Sequence, residues 1–264
     1  VMQKNFSKLK INSTSIKKIK IVWESVYKDE YDEGLRFLVL GLLNGNFDLD
    51  KVIHDIKSKK PIQYIIGEWN FYEGNYFLTE DVLIPRPETE VLVDYIKNKF
   101  LKLKTILDLG TGSGCIAIEL SKIYKNSKVF GSDLCTKALR IAKKNNAQTQ
   151  NKVKFIESDW FVNIKGKFDL IVSNPPYIPE NAKLETSTLF EPGTALFSQD
   201  AGLRDLKKII SEALNYLKIN GVLILEHGLN QSSDLSEYMK DLGYKNIGTF
   251  NDLKNIKRFI YGYK

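Results

Sequence analysis

The chain has 264 residues, 43% of them hydrophobic, with 39 Lys and Arg against 32 Asp and Glu for a net charge of +7. That apolar share suits one large or two modest cores. No run approaches the ~20 apolar residues that cross a bilayer, and the N-terminus carries no signal-peptide apolar region. The two cysteines, Cys115 and Cys135, form no C-x-x-C pair, which points to a reducing, cytoplasmic setting and away from a disulfide scaffold. The positive charge could suit an RNA-associated partner, but Lys is spread along the whole chain and reads better as solvated surface.

Residues 1–66 show helical periodicity and few strand signals. Ile16, Ile19, Ile21, Val22, Trp23 and Val26 predict one amphipathic helix, residues 35–43 a second and residues 50–57 a third. Polar breaks at 28–34 and 44–48 separate them. Trp23 and Phe37 are expected in the core. The basic runs at 17–18 and 57–60 are expected as solvated faces. Residues 69–84 alternate apolar and polar around Glu73-Gly74-Asn75, the pattern of a β-hairpin, and residues 67–86 form the linker. Pro85-Arg86-Pro87 stiffens its exit, and Glu88-Thr89-Glu90 opens a helix reaching about residue 100.

From residue 105 strands and helices alternate, with strands near 105–109, 128–132, 153–157, 168–173, 221–226, 244–249 and 256–262. Helices are predicted near 114–124, 136–147, 204–217 and 231–241. Alternation of this kind makes residues 87–264 an α/β domain, a parallel sheet with helices on both faces.

Two strand ends carry the chemistry. The strand 105–109 contains Asp108 and runs into Gly110-Thr111-Gly112-Ser113-Gly114 before a helix. There the backbone can approach a ligand closely. The next strand ends in Asp133, at the distance past the glycines where an acidic residue takes ribose hydroxyls. The glycine spacing is G-x-G-x-G, with Cys115 where a dinucleotide fingerprint has its third glycine. Asp108 before the loop suits an amine-bearing ligand better than a pyrophosphate. S-adenosylmethionine fits: it has a ribose, an adenine and an ammonium, and no phosphate. The apolar strand 168–173 ends in Asn174-Pro175-Pro176-Tyr177. The prolines have fixed φ and no N–H donor, so their carbonyls remain as acceptors. With the Asn amide and the Tyr ring they form a rigid pocket for a flat group bearing an NH2.

Residues 108–114 together with Asn174-Pro175-Pro176-Tyr177 resemble a class I, Rossmann-like S-adenosylmethionine-dependent amino-methyltransferase. Residues 63–71 and 84–90 narrow the resemblance to the HemK/PrmC family. Glu191-Pro192, Ala195-Leu196-Phe197, Gly202-Leu203, Glu226, Gly228 and Gln231 also fit that family's pattern. Ala201 departs from it, where an acidic residue or glycine is expected. The match runs from about residue 60 to the C-terminus.

The resemblance implies methylation of the glutamine side-chain amide in the Gly-Gly-Gln loop of peptide chain release factors. It implies a seven-stranded sheet whose final strand inserts antiparallel, a small helical N-terminal domain for substrate recognition, and no metal. Residues 110–114 would pass the methionine moiety and Asp133 the ribose hydroxyls, while Asp159-Trp160 would flank the adenine. Asn174, Pro175, Pro176 and Tyr177 would hold the amide, and Arg86 and Glu88 would close the pocket from the hairpin side. Three other readings share parts of this pattern. A ribosomal-protein glutamine methyltransferase would carry the same catalytic motif. A DNA or rRNA exocyclic-amine methyltransferase would need a base-flipping platform that the N-terminal segment does not offer, so nucleic acid enters only indirectly. A module that binds the donor without turnover would not need the intact tetrapeptide.

Overall fold

The computed structural model describes residues 11–28, 32–43, 47–149 and 152–264. The chain divides into two compact units, Val1–Glu68 with Leu184–Phe190, and Trp69–Lys183 with Glu191–Lys264. The polar breaks predicted around residues 28–34 and 44–48 fall partly outside the described residues.

The first unit holds helices α1 (Ser13–Tyr27), α2 (Asp32–Leu43), α3 (Leu49–Lys57) and α4 (Ile62–Ile66). Asn12 caps α1 by accepting from Ser15 N–H at 2.8 Å, and Asp48 caps α3 through the N–H groups of Asp50 and Lys51. Ile19, Trp23, Leu38, Leu42, Val52 and Ile56 form its core. Trp23 is buried as expected, but Phe37 is 46% exposed. It lies one position before the core residue Leu38, on the other side of the helix stripe. The short α4 has no capping side chain at its start and ends at a left-handed Gly67, and its 5 residues are too few to show a helical period.

β1 (Glu68–Phe71), which crosses the boundary after residue 68, and β2 (Gly74–Phe77) make a two-stranded ribbon. It turns at Tyr72-Glu73, where Tyr72 takes φ 54°, a residue or two earlier than the sequence suggests. Residues 78–84 do not continue as strand. Helix α5 (Pro87–Lys99) follows, with proline in its first turn and Glu88 and Glu90 beside the positive end of its dipole.

The main sheet is built of β3 (Thr105–Leu109), β4 (Lys128–Asp133), β5 (Lys154–Glu157) and β6 (Phe168–Ser173). After the short parallel pair β7 (Ile178–Pro179) and β8 (Phe197–Ser198), the sheet resumes with β9 (Leu217–Glu226), β10 (Lys245–Asn251) and β11 (Lys257–Tyr263). The seven strands run in the order β10-β11-β9-β6-β3-β4-β5. β3 pairs parallel with β4 and β6, and β11 inserts antiparallel between β9 and β10, as expected.

Helices α6 (Cys115–Ile123) and α7 (Thr136–Ala147) follow β3 and β4. The short α8 (Gly193–Leu196) and α9 (Gln199–Gly202) flank β8, and α10 (Arg204–Ala213) and α11 (Ser232–Asp241) complete the layer. Alternate strand residues serve opposite faces. Ile106, Leu170, Val172, Val222 and Ile224 pack in one core, while Leu107, Ile171, Leu223 and Leu225 pack in the other. Burial on both faces is why the central strands read as continuous apolar runs.

β9 begins four residues before its apolar run because of a bulge. Phe168 pairs with Leu217, and Leu170 next pairs with Val222. Asn220 is left-handed at φ 62°, and a Cβ on Gly221 would lie 2.8 Å from the Phe168 carbonyl oxygen. The ribbon is tied to the sheet's loops by Asn145 on α7. Its amide accepts from Phe77 N–H at 2.8 Å and donates to the carbonyls of Phe77 and Ser113.

Two substitutions on β9 separate core from rim. Leu223→Ala, at a fully buried position, is expected to lower stability by about 2–5 kcal/mol. Ile219→Ala, at a position 86% exposed, is expected to change it by less than about 0.5 kcal/mol. Urea unfolding of both variants checks the pair; equal losses would contradict the assignment of the core.

Candidate functional site

The site lies at the carboxyl ends of β3, β4, β6 and β9, where ligands of open α/β sheets bind. The loop after β3 is held open by glycine geometry. Gly110, Gly112 and Gly114 all have positive φ, at 67°, 54° and 83°. Added side-chain atoms at Gly112 would meet nothing within 4 Å, while one at Gly114 would press on Ala142 at 3.1 Å. The first position allows backbone approach to a ligand, and the second lets α6 pack against α7.

Asp108 is fully enclosed beneath this loop and accepts from the Thr111 hydroxyl at 2.6 Å. Burial pushes its carboxyl up to about 7. Its Oδ1, the Ser113 hydroxyl and the Ser132 hydroxyl are buried without hydrogen-bond partners among the described residues. Burying such polar atoms costs free energy that the sheet's packing must offset. Asp133 is half-buried. Its Oδ2 accepts from Gly112 N–H at 2.9 Å and its Oδ1 from Cys135 N–H at 2.8 Å. Each oxygen keeps a further lone pair for a hydroxyl donor. The residues present thus fit a ligand with a diol and an amine, as S-adenosylmethionine has.

Trp160 and Asp159 part company. Ser158 N–H donates to the Asp133 carbonyl at 3.0 Å, which sets the end of β5 beside that of β4. Trp160 is left-handed at φ 46°, and its ring faces Gly110, 3.5 Å from where a Cβ there would sit. Its indole N–H donates to Asp205 on α10 at 3.1 Å. The Asp159 side chain is exposed and pairs with Lys208 at 3.0 Å, while the Trp160 ring lies over the glycine loop.

Asn174-Pro175-Pro176-Tyr177 follows β6 directly. Pro175 and Pro176 are buried. The Asn174 Nδ2 donates to the Thr89 hydroxyl at 3.2 Å, and that hydroxyl donates to Glu226 Oε2 at 2.7 Å. The Tyr177 hydroxyl donates to Glu226 Oε1 at 3.0 Å. Glu226 ends β9, and burial pushes its carboxyl up to about 7. Burial and the neighbouring Glu226 also raise the Tyr177 hydroxyl above its ordinary value.

The backbone of Tyr177 is gripped from behind. Gln231 donates to its carbonyl at 3.1 Å, and Gly202, with φ 87°, approaches so closely that a Cβ would lie 2.1 Å from that oxygen. Asp200 and Ala201 are also left-handed, so residues 200–202 form a strained turn against the motif. Arg86 pairs with Glu191 at 2.5 Å, and Glu191 also accepts from Ile84 N–H at 3.1 Å. Glu88 faces Lys254 at 3.7 Å. Of these two, the structure ties the partly exposed Arg86 to the buried Glu191 and leaves Glu88 at the helix start.

Sequence reasoning gave no role to Thr89 or Asp205, and treated Glu226 and Gln231 only as parts of a pattern. Their partners lie far along the chain, so no local spacing reveals them. A polar residue ending an otherwise apolar strand, as Glu226 ends β9, is the one signal available.

A sheet of this order with a glycine loop after its first strand and Asn-Pro-Pro-Tyr after its fourth defines a class I methyltransferase. Residues 87–246 match the family model described as the methyltransferase small domain. The chain is 39% identical over 220 residues to a release factor glutamine methyltransferase of Buchnera aphidicola from Acyrthosiphon pisum, covering 82% of this chain and 79% of that protein. It is 41% identical over 219 residues to the release factor glutamine methyltransferase of Francisella tularensis, covering 80% and 76%. Among solved structures, the T. thermophilus 16S rRNA N2 G1207 methyltransferase in complex with AdoMet and guanosine shares the fold. Its TM-score is 0.53 at 16% identity, over 75% of this chain and 49% of that one. The chain belongs to the release factor glutamine methyltransferase family.

Asp108 generates a prediction with a definite sign. Its folded value lies above the ordinary 3.8, at about 7. Ionisation therefore opposes folding, and stability falls as pH rises from about 4 to about 7. Asp108→Asn is expected to raise the melting temperature of the ligand-free protein at pH 8 by several degrees, and by much less at pH 4. The same variant should bind S-adenosylmethionine at least ~10-fold more weakly, about 1.4 kcal/mol. Calorimetry at the two pH values checks both; a variant less stable at pH 8 than at pH 4, relative to the parent, would contradict the burial argument.

Proposed function

We propose that this protein transfers a methyl group from S-adenosylmethionine to the side-chain amide nitrogen of the Gly-Gly-Gln glutamine in a peptide chain release factor. The observation that carries this reading is the Asn174 amide, whose Nδ2 is committed to Thr89 while its Oδ1 accepts no hydrogen bond among the described residues. That oxygen and the Pro175 carbonyl would serve as a pair of acceptors for the two hydrogens of a primary amide. The relatives named above supply the class of substrate.

S-adenosylmethionine, when bound, supplies an electrophilic methyl on a sulfonium leaving group. The protein's own task is alignment, because an amide nitrogen has its lone pair delocalised into the carbonyl. Asn174 and Pro175 would hold both N–H groups and so aim the nitrogen. They would also stabilise the positive charge that grows on it as the nitrogen–carbon bond forms and the carbon–sulfur bond breaks. Orientation of this kind supplies several kcal/mol, up to roughly 7–11 in favourable models. Tyr177 would cover the planar amide with its ring. Glu226 is held by Thr89 and Tyr177 and is not free as a base. None is required before transfer, since the nitrogen's proton becomes acidic only as the new bond forms. Residues 110–114 and Asp133 would hold the donor's methionine and ribose, with Trp160 and the exposed Leu134 offering apolar faces to the adenine. Arg86 would act through Glu191 in shaping the pocket wall, and Glu88 at the helix start beside it.

Residues 1–66 would serve as the substrate-recognition domain and residues 67–86 as the linker to the methyltransferase domain at 87–264. The reaction belongs in the cytoplasm, consistent with the unpaired Cys115 and Cys135. Among the described residues no helix is long and apolar enough to cross a membrane.

Incubation with labelled methyl donor and an intact release factor, followed by peptide mass spectrometry, tests the reading. Label is expected on the Gly-Gly-Gln glutamine, and label on a ribosomal protein or on rRNA in preference would overturn it. Asn174→Ala should lower kcat by about 10²–10³-fold, the scale of a lost transition-state contact, while leaving donor affinity within about threefold. A short Gly-Gly-Gln peptide should be a much poorer substrate than the whole factor, because docking of a protein partner normally buries about 1,600 Å².

A further inference from the structure

Asn174 can serve as an acceptor only if its amide sits the right way round. The two ends of an Asn side chain have nearly the same shape, so packing alone does not choose between them. In this structure hydrogen bonding makes the choice. Glu226 is fully buried at the end of β9, and its two oxygens are taken by two hydroxyls, Thr89 at 2.7 Å and Tyr177 at 3.0 Å. In its ionised form, which prevails above pH of about 7, it offers acceptors only, and the Thr89 hydroxyl donates to it. Its proton committed, that hydroxyl has only lone pairs left for Asn174. Asn174 must then present its NH2 to Thr89, as it does at 3.2 Å, and its Oδ1 faces away. The second oxygen of Glu226 takes the Tyr177 hydroxyl at 3.0 Å, fixing the tilt of the ring in the same motif.

We propose that Glu226 and Thr89 are positioning residues for methyl transfer: Glu226, acting through the Thr89 hydroxyl, sets the Asn174 amide with its oxygen toward the substrate, and also anchors Tyr177. The inference rests on the proposed role of Asn174 as the acceptor of the amide hydrogens. Thr89 comes from the first turn of α5, Glu226 from β9 and Asn174 from the end of β6, so three separate elements converge on one orientation. Without the relay the flipped amide becomes accessible. It would point a donor at a substrate group that itself only donates.

Thr89→Val keeps the shape and removes the hydroxyl, and Thr89→Ser keeps the hydroxyl. Methylation of an intact release factor by Thr89→Val is expected to show kcat reduced about 10- to 100-fold, with KM for S-adenosylmethionine within about twofold. Thr89→Ser should recover most of that loss. In Glu226→Gln the new amide can donate to Thr89, freeing its hydroxyl to turn toward Asn174, and kcat should fall to a similar extent. Calorimetric donor binding within about threefold of the parent establishes that each variant is folded. Should Thr89→Val not fold, Glu226→Gln carries the same test.

A readout independent of turnover is the nitrogen–proton correlation of the Asn174 side-chain amide, identified by its loss in Asn174→Ala. Its signals are expected to move in Thr89→Val and to stay near the parent positions in Thr89→Ser. A folded Thr89→Val or Glu226→Gln with kcat within twofold of the parent and unmoved Asn174 signals overturns the relay. If Asn174→Ala is itself fully active on the release factor, the acceptor reading fails instead. If Asn174→Ala is inactive and Thr89→Val is not, the relay alone fails.

Discussion

A single buried carboxylate, Glu226, joins the parts of the molecule that must agree for this site to exist. It ends a central strand, and its two oxygens accept hydroxyls from the first turn of α5 and from the motif after β6. Neither bond is strong evidence for stability. Desolvating a carboxylate costs several kcal/mol, and two hydroxyl donors offset that only in part. The rise of its carboxyl to about 7 records the same imbalance. What the arrangement secures is direction: which way the Asn174 amide faces and how Tyr177 tilts.

The donor side of the crevice follows a similar logic. Asp108 is enclosed, raised to about 7 and left with an unpartnered oxygen among the described residues. The loop above it depends on three left-handed glycines, and Trp160 is itself left-handed where it faces Gly110. On the substrate side, residues 200–202 hold a run of left-handed backbone against the Tyr177 carbonyl. Strain and unsatisfied polarity thus collect at the ends of β3, β4, β6 and β9, while the faces of the sheet are apolar and fully packed. A rigid sheet permits this because each strand end is fixed by a ladder that does not rely on the site.

The site was legible where its residues are consecutive and obscure where they are not. Residues 108–114, Asp133 and residues 174–177 stand in short runs whose backbone requirements can be read directly. The seven strands and the antiparallel β11 followed from the family resemblance, and the strand positions from apolar runs buried on both faces, while the strand order rests on pairing alone. The bulge in β9 was hidden because Lys218, Ile219 and Asn220 carry no apolar alternation and lie between the paired residues Leu217 and Val222. Phe37 was misplaced because an aromatic residue in a helix is core only if it falls on the buried stripe, and phase is uncertain near a break. The contact of Asp159 with Lys208, a partner 49 residues away, is likewise absent from any local pattern. The Thr89–Glu226 contact spans 137 residues, and no pattern within either segment foretells it.

The most direct test of the account is a crystal structure of the protein with S-adenosylhomocysteine and the Gly-Gly-Gln domain of a release factor. The account predicts the glutamine amide nitrogen within about 2.7–3.2 Å of both Asn174 Oδ1 and the Pro175 carbonyl oxygen, with the Asn174 Nδ2 still on Thr89 and the Tyr177 ring against the amide plane. A glutamine held by other residues, or an Asn174 that turns its NH2 toward the substrate, would contradict it.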